Sequence, residues 1–136
     1  MVVCACAETL PDDVTDYRED CTKMNAEPLP KRADDPHEGV KDVYACNVPE
    51  ADLVANERPF PDGTIIVKES TRSDANYPWL VATARKLDGE WQWDEYTRNF
   101  EDEDFVHIIS GESVCIDCHD GAKDRDWIFT RYTIED

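Results

Sequence analysis

The sequence predicts an α+β domain built mainly on an antiparallel sheet. Residues 64–70, 79–86 and 91–97 are β-branched or aromatic and read as strands. The Asp88-Gly89 pair between the last two is a tight-turn signal. Helical spacing of apolar residues is confined to short segments, and the 136 residues suit one domain with one core.

Taken in order, residues 1–12 read as an irregular arm. Residues 13–25 read as a short helix, with Val14, Tyr17, Cys21 and Met24 at helical spacing. Residues 26–41 carry Pro28, Pro30, Pro36 and many charges, and read as a loop. Residues 43–47 read as a strand, and 49–54 as a helical turn with Pro49 at its first position. Phe60-Pro61-Asp62-Gly63 is a turn. After the three central strands comes an acidic, solvated loop at 101–104, then a short apolar stretch at 105–109. Residues 114–123 read as a helix and 127–133 as a final strand. There is no internal repeat and no linker.

Charge narrows the functional classes. Lys and Arg total 14 against 32 Asp and Glu, a net charge of −18. Phosphate contacts need a basic surface, so nucleic acid is excluded as a partner. No apolar run is long enough for a transmembrane span. Four Trp, five Tyr and four Phe are too many for a disordered acidic tail. So acidic a surface fits a salt-rich habitat or a cationic partner.

Six cysteines are dense for a cytosolic protein and point to an oxidising compartment. The start Met1-Val2-Val3-Cys4-Ala5-Cys6 has no basic or long apolar stretch. The expectation is a mature, exported or periplasmic chain, its signal removed and Met1 in its place. Met1-Val2-Val3 is a poor lipobox, so a lipid anchor at Cys4 or Cys6 is weakly supported. Cys4 and Cys6 are poorly placed to bond each other. The favoured pairing therefore joins each of them to one of Cys21 and Cys46, stapling the arm to a helix and a strand.

Cys115-Ile116-Asp117-Cys118-His119 is a haem c attachment sequence. On a helix, positions i, i+3 and i+4 share a face. Cys115 and Cys118 can then form thioethers to one haem while His119 reaches the iron as its metal ligand. A thioredoxin-type disulfide would sit after an early strand of a βαβ unit, and a zinc site would want a second nearby Cys/His pair. Neither context is present in the sequence.

Two blocks resemble the cytochrome P460 family, which includes the cytochromes c′-beta. One is Phe60-Pro61-Asp62-Gly63-Thr64-Ile65-Ile66-Val67-Lys68-Glu69. The other is the Cys115–His119 motif followed by Asp126-Trp127-Ile128-Phe129-Thr130. Lys86, Trp91-Gln92-Trp93 and Pro36-His37 ahead of Val43-Tyr44 also resemble it. The likeness covers residues 36–133. It divides the chain into an arm with a short helix at 1–35 and a haem domain at 36–136. It implies an antiparallel sheet and a few helices packed around one covalent haem, a homodimer, and a redox partner protein.

Lys68 shares a strand face with Thr64, Ile66 and Ser70. The resemblance implies a position whose nitrogen is bonded to the haem edge in P460 enzymes; the alternative is a strand lysine reaching water. His37 matches a residue near the pocket. His107 and Met24 offer no ligand motif, so an open iron position is expected.

The resemblance also places a distal acid on the strand before Lys86, where this chain has none. Ala82 falls at that position, with Thr83 there if the register slips by one. An apolar, acid-free pocket is therefore expected, lined by Ala82. It would suit nitric oxide or another small nitrogen ligand, with His37 or Glu69 as the other available base. The competing readings are a P460-type oxidoreductase acting on hydroxylamine or nitric oxide, with a Lys68–haem bond, and a plain six-coordinate electron carrier.

Overall fold

Consecutive antiparallel pairing builds the whole sheet. The computed structural model describes residues 8–31, 37–110 and 113–134, excepting the side chains of 113 and 114. Among the described residues six strands lie in chain order: β1 (Thr22–Lys23), β2 (Val40–Cys46), β3 (Ile65–Thr71), β4 (Leu80–Leu87), β5 (Glu90–Thr97) and β6 (Val106–Ser110). Among the described residues there are three short α-helices: α1 (Tyr17–Asp20) before β1, α2 (Glu50–Val54) between β2 and β3, and α3 (Ser113–His119) after β6, the last running into a 3-10 segment at Asp120–Arg125. The α+β, mainly antiparallel class read from the sequence is the observed one, and the central strands fall within a residue or two of their expected bounds. No helix among the described residues is long and apolar enough to cross a membrane.

The β4–β5 turn forms as its residues require. Asp88 (φ 51°) and Gly89 (φ 80°) both adopt the left-handed region, the pattern of a two-residue turn that matches strand twist.

Both faces of the sheet are covered. On one, Val43, Ala45, Ile66, Ala84 and Trp93 pack with Met24, Leu53, Phe60 and Ile128. On the other, Tyr44, Cys46, Ile65, Val67 and Val81 pack with Val14 and Tyr17. Burial on both faces explains why β3 opens on the continuous apolar run Ile65-Ile66-Val67.

Four expectations are corrected. Residues 13–25 are not one helix: a 3-10 turn at Asp12–Val14 and the four residues of α1 give way to β1. The helical spacing was real as burial, since Val14, Tyr17 and Met24 are all in the core. After Asp20, though, the chain extends to pair with β2.

That pairing decides the disulfide. Thr22 faces Ala45, so Cys21 faces Cys46, with Cα atoms 4.5 Å apart and the two joined. The pairing of Cys4 and Cys6 with these residues is thereby overturned. Cys4 and Cys6 themselves lie outside the described residues.

Residues 127–133 are not a strand. Left-handed Asp126 and Trp127 turn the chain, which is then held by cross-links: Arg58 donates to the Thr130 carbonyl, and Thr133 N–H to the Met24 carbonyl at 2.8 Å. Pro49 precedes α2 as its cap rather than opening it.

Candidate functional site

Register places the chemistry-bearing residues in rows across the sheet. Val43, Lys68, Ala82, Glu95 and Ile109 form one row from β2 to β6. The next row on that face is Ala45, Ile66, Ala84 and Trp93. Between this face and the C-terminal segment lies a cavity of about 350 Å³. Val43, Ile66, Leu80, Ile109, Ile128 and Phe129 make its lining mainly apolar. That is the size and character of a site for a small-molecule ligand or cofactor.

Six of the residues singled out from the sequence meet in this cavity. Cys115, Cys118 and His119 line it from α3; Lys68 and Ala82 line it from the sheet; His37 lines it from the segment before β2. Cys115 and Cys118 are not joined to each other, and Cys118 is exposed. Ala82, rather than Thr83, stands in the Lys68 row.

His119 is held as a neutral imidazole. Its Nδ1 lies 2.6 Å from the Trp127 carbonyl oxygen. A carbonyl only accepts, so Nδ1 carries the proton and Nε2 keeps its lone pair. Its ring packs between Trp93 and Phe129, with centroids at 4.3 and 5.3 Å. Burial lowers its pKa from the ordinary value to about 4, although the Trp127 hydrogen bond works the other way. The imidazole is therefore neutral at pH 7, the form that binds metals.

The residue before Trp127 is itself held in a hub beyond the cavity. Asp126 Oδ2 accepts from the Phe60 N–H at 2.9 Å and from Lys86 Nζ at 2.6 Å. Its Oδ1 accepts from Trp91 Nε1 at 3.2 Å. Phe60, Lys86, Trp91 and Asp126, distant in sequence, thus meet around one carboxylate.

The acid-free pocket is corrected. Glu95 lines the cavity beside Ala82, and its Oε1 lies 2.6 Å from His37 Nε2. The carboxylate comes from β5 rather than β4. Two-residue turn arithmetic held the signal: Leu87 faces Glu90 across Asp88-Gly89, and stepping back along both strands brings Ala82 opposite Glu95. Lys68 and Glu95 flank Ala82 on either side, with Cα atoms about 10 Å apart at ordinary strand spacing.

Glu69 is not the other base. It points to the opposite face, where Tyr17 donates its hydroxyl to Oε2 and Arg18 Nε donates at 2.9 Å. Burial first, and then this carboxylate, push the Tyr17 pKa well above its ordinary value. His107 also lies away from the cavity lining, with Nε2 3.0 Å from Asp94 Oδ1.

Among the described residues, no group of three or more His, Cys, Asp or Glu side chains is gathered to hold a bare metal ion. No known protein-family model matches the chain, and no curated protein is significantly similar to it.

Proposed function

We propose that the chain is a c-type haem protein of the cytochrome P460 and c′-beta kind. In this reading it binds nitric oxide or a related small nitrogen ligand at an open iron position and exchanges electrons with a redox partner. The observation that carries the reading is the meeting of Cys115, Cys118 and His119 with Lys68 around one apolar cavity.

The residues fit haem c. Two thiols at i and i+3 of one helix suit two thioether links, and a neutral imidazole with Nδ1 tied to a carbonyl offers Nε2 to iron. Bound haem would supply an iron centre for small ligands and one-electron chemistry. Apolar side chains around it would exclude water, and Ala82 leaves room beside Lys68.

The His37–Glu95 pair favours the oxidoreductase reading as a second one. Glu95 can take a proton from a bound ligand at its carboxylate, and His37 holds that carboxylate through Nε2. Hydroxylamine, which must lose protons as it is oxidised, would need such a group; nitric oxide would not.

Mass spectrometry after periplasmic expression should show one covalent haem. The ferrous protein should bind nitric oxide. An unmodified chain, or a Cys115–Cys118 disulfide, would end the proposal. A red-shifted Soret band that moves in Lys68→Ala would establish the lysine–haem bond and strengthen the oxidoreductase reading.

A further inference from the structure

The geometry points to Asp126 as a positioning residue for His119, acting through the Trp127 carbonyl. The assignment rests on the haem reading above. Asp126 does not line the cavity. It gathers a backbone amide from the turn before β3, the Lys86 ammonium from β4 and the Trp91 indole from β5. Lys86 is only 5% exposed and also donates to the Phe60 carbonyl at 2.7 Å. So large a set of partners around one carboxylate leaves Asp126 a single place to be.

The backbone explains what that place achieves. Asp126 (φ 55°) and Trp127 (φ 68°) are successive non-glycine residues in the left-handed region. Such conformations persist only where the surroundings over-determine them. The side-chain bonds of Asp126 supply that constraint. Arg58 Nε braces the preceding Arg125 carbonyl at 3.2 Å, and Trp127 N–H is fixed on the Ala122 carbonyl at 2.9 Å. With its peptides so oriented, Trp127 turns its carbonyl onto His119 Nδ1. The strength of that bond sets the basicity of Nε2, because a partner on one ring nitrogen tunes the other. Asp126 would therefore tune the nitrogen that His119 offers to the iron without touching His119.

Resonance Raman of the ferrous, haem-loaded protein reads this directly through the iron–histidine stretch. Asp126→Asn should lower the stretching frequency, since a looser Trp127 carbonyl withdraws support from Nδ1. Trp91→Phe removes one hydrogen bond and keeps the ring packing, so it should give a smaller shift in the same direction. It decides the matter alone where Asp126→Asn does not fold. Glu69→Gln, on the opposite sheet face, should lower the thermal midpoint and leave the stretch in place. An unmoved stretch in the folded hub variants, whatever their midpoints, would overturn the assignment and leave the haem reading intact. A wild-type chain that takes up no covalent haem would remove both.

Discussion

Glu95 changes what this cavity can do. An apolar pocket with only Lys68 and Ala82 on its sheet wall would hold an uncharged diatomic ligand and have nothing to accept protons. The carboxylate, fixed by His37 at 2.6 Å, supplies that acceptor. Glu95→Gln keeps the shape and removes the basicity. If the chain oxidises hydroxylamine, this variant should lose about a hundredfold or more in turnover, the usual contribution of a general base. Nitric oxide binding, measured optically, should stay nearly unchanged. Equal loss of both would mean that Glu95 shapes the pocket rather than moving protons. His119 supports a second expectation, for the chain before haem attachment. Its folded pKa of about 4 lies below the unfolded value of 6.5. Between these values the unfolded state binds more protons, so stability is fully present above pH 6.5. It is lost as pH falls through 6.5 toward 4. The loss is at most about 3 kcal/mol, and less after solvent screening of this partly exposed group. Chemical denaturation at pH 7 and pH 4.5, compared with His119→Asn, would measure it; an equal loss in the variant would assign it to other groups.

At the scale of elements, the disulfide joins the residue between α1 and β1 to the end of β2. Cys21 and Cys46 close a loop with a sequence separation of 25. Replacing both with serine should cost about 3 kcal/mol in equilibrium unfolding, the loop-closure magnitude for that length. Peptide mapping of the non-reduced protein should recover Cys21 and Cys46 as one linked pair; a Cys4 or Cys6 link to either would refute it. This element also marks where the sequence stopped being legible. Strands β3, β4 and β5 were readable because β-branched residues and the Asp88-Gly89 turn agree locally. The Cys115–His119 segment was readable as a helix because its two cysteines and histidine stand at i, i+3 and i+4. By contrast, Val14, Tyr17 and Met24 bury their side chains at helical intervals, yet the chain between them changes from helix to strand. Only pairing with β2, a long-range contact, decides that change. Glu95 was hidden for a related reason: its place beside Ala82 depends on the partner strand and not on the residues of β4 itself. The C-terminal residues alternate in strand fashion, but Asp126 and Trp127 turn them out of the sheet into side-chain cross-links.

For the whole molecule, the sheet separates two tasks. One face is sealed by Val14, Tyr17 and their neighbours, with Glu69 neutralised by Arg18 across it. The other carries the cavity, closed by α3 and the segment that Asp126 anchors. Around both, a net charge of −18 surrounds the site with negative potential. Charge of this size steers encounters, and over distances beyond about 10 Å salt screens it at ordinary ionic strength. If the haem-loaded chain exchanges electrons at its surface, the rate should depend on the sign of the reagent. Stopped-flow oxidation by a cationic one-electron acceptor should be fast at low salt and slow as salt is added. Oxidation by an anionic acceptor of similar driving force should show the opposite trend. Adding salt should also raise the thermal midpoint, because screening relieves self-repulsion in the compact state. The two measurements separate the explanations for the acidity. A strong salt dependence of the cationic reaction, with full folding in dilute buffer, fits a cationic partner. A chain that folds only at high salt fits a salt-rich habitat, and its charge would then serve solubility rather than recognition.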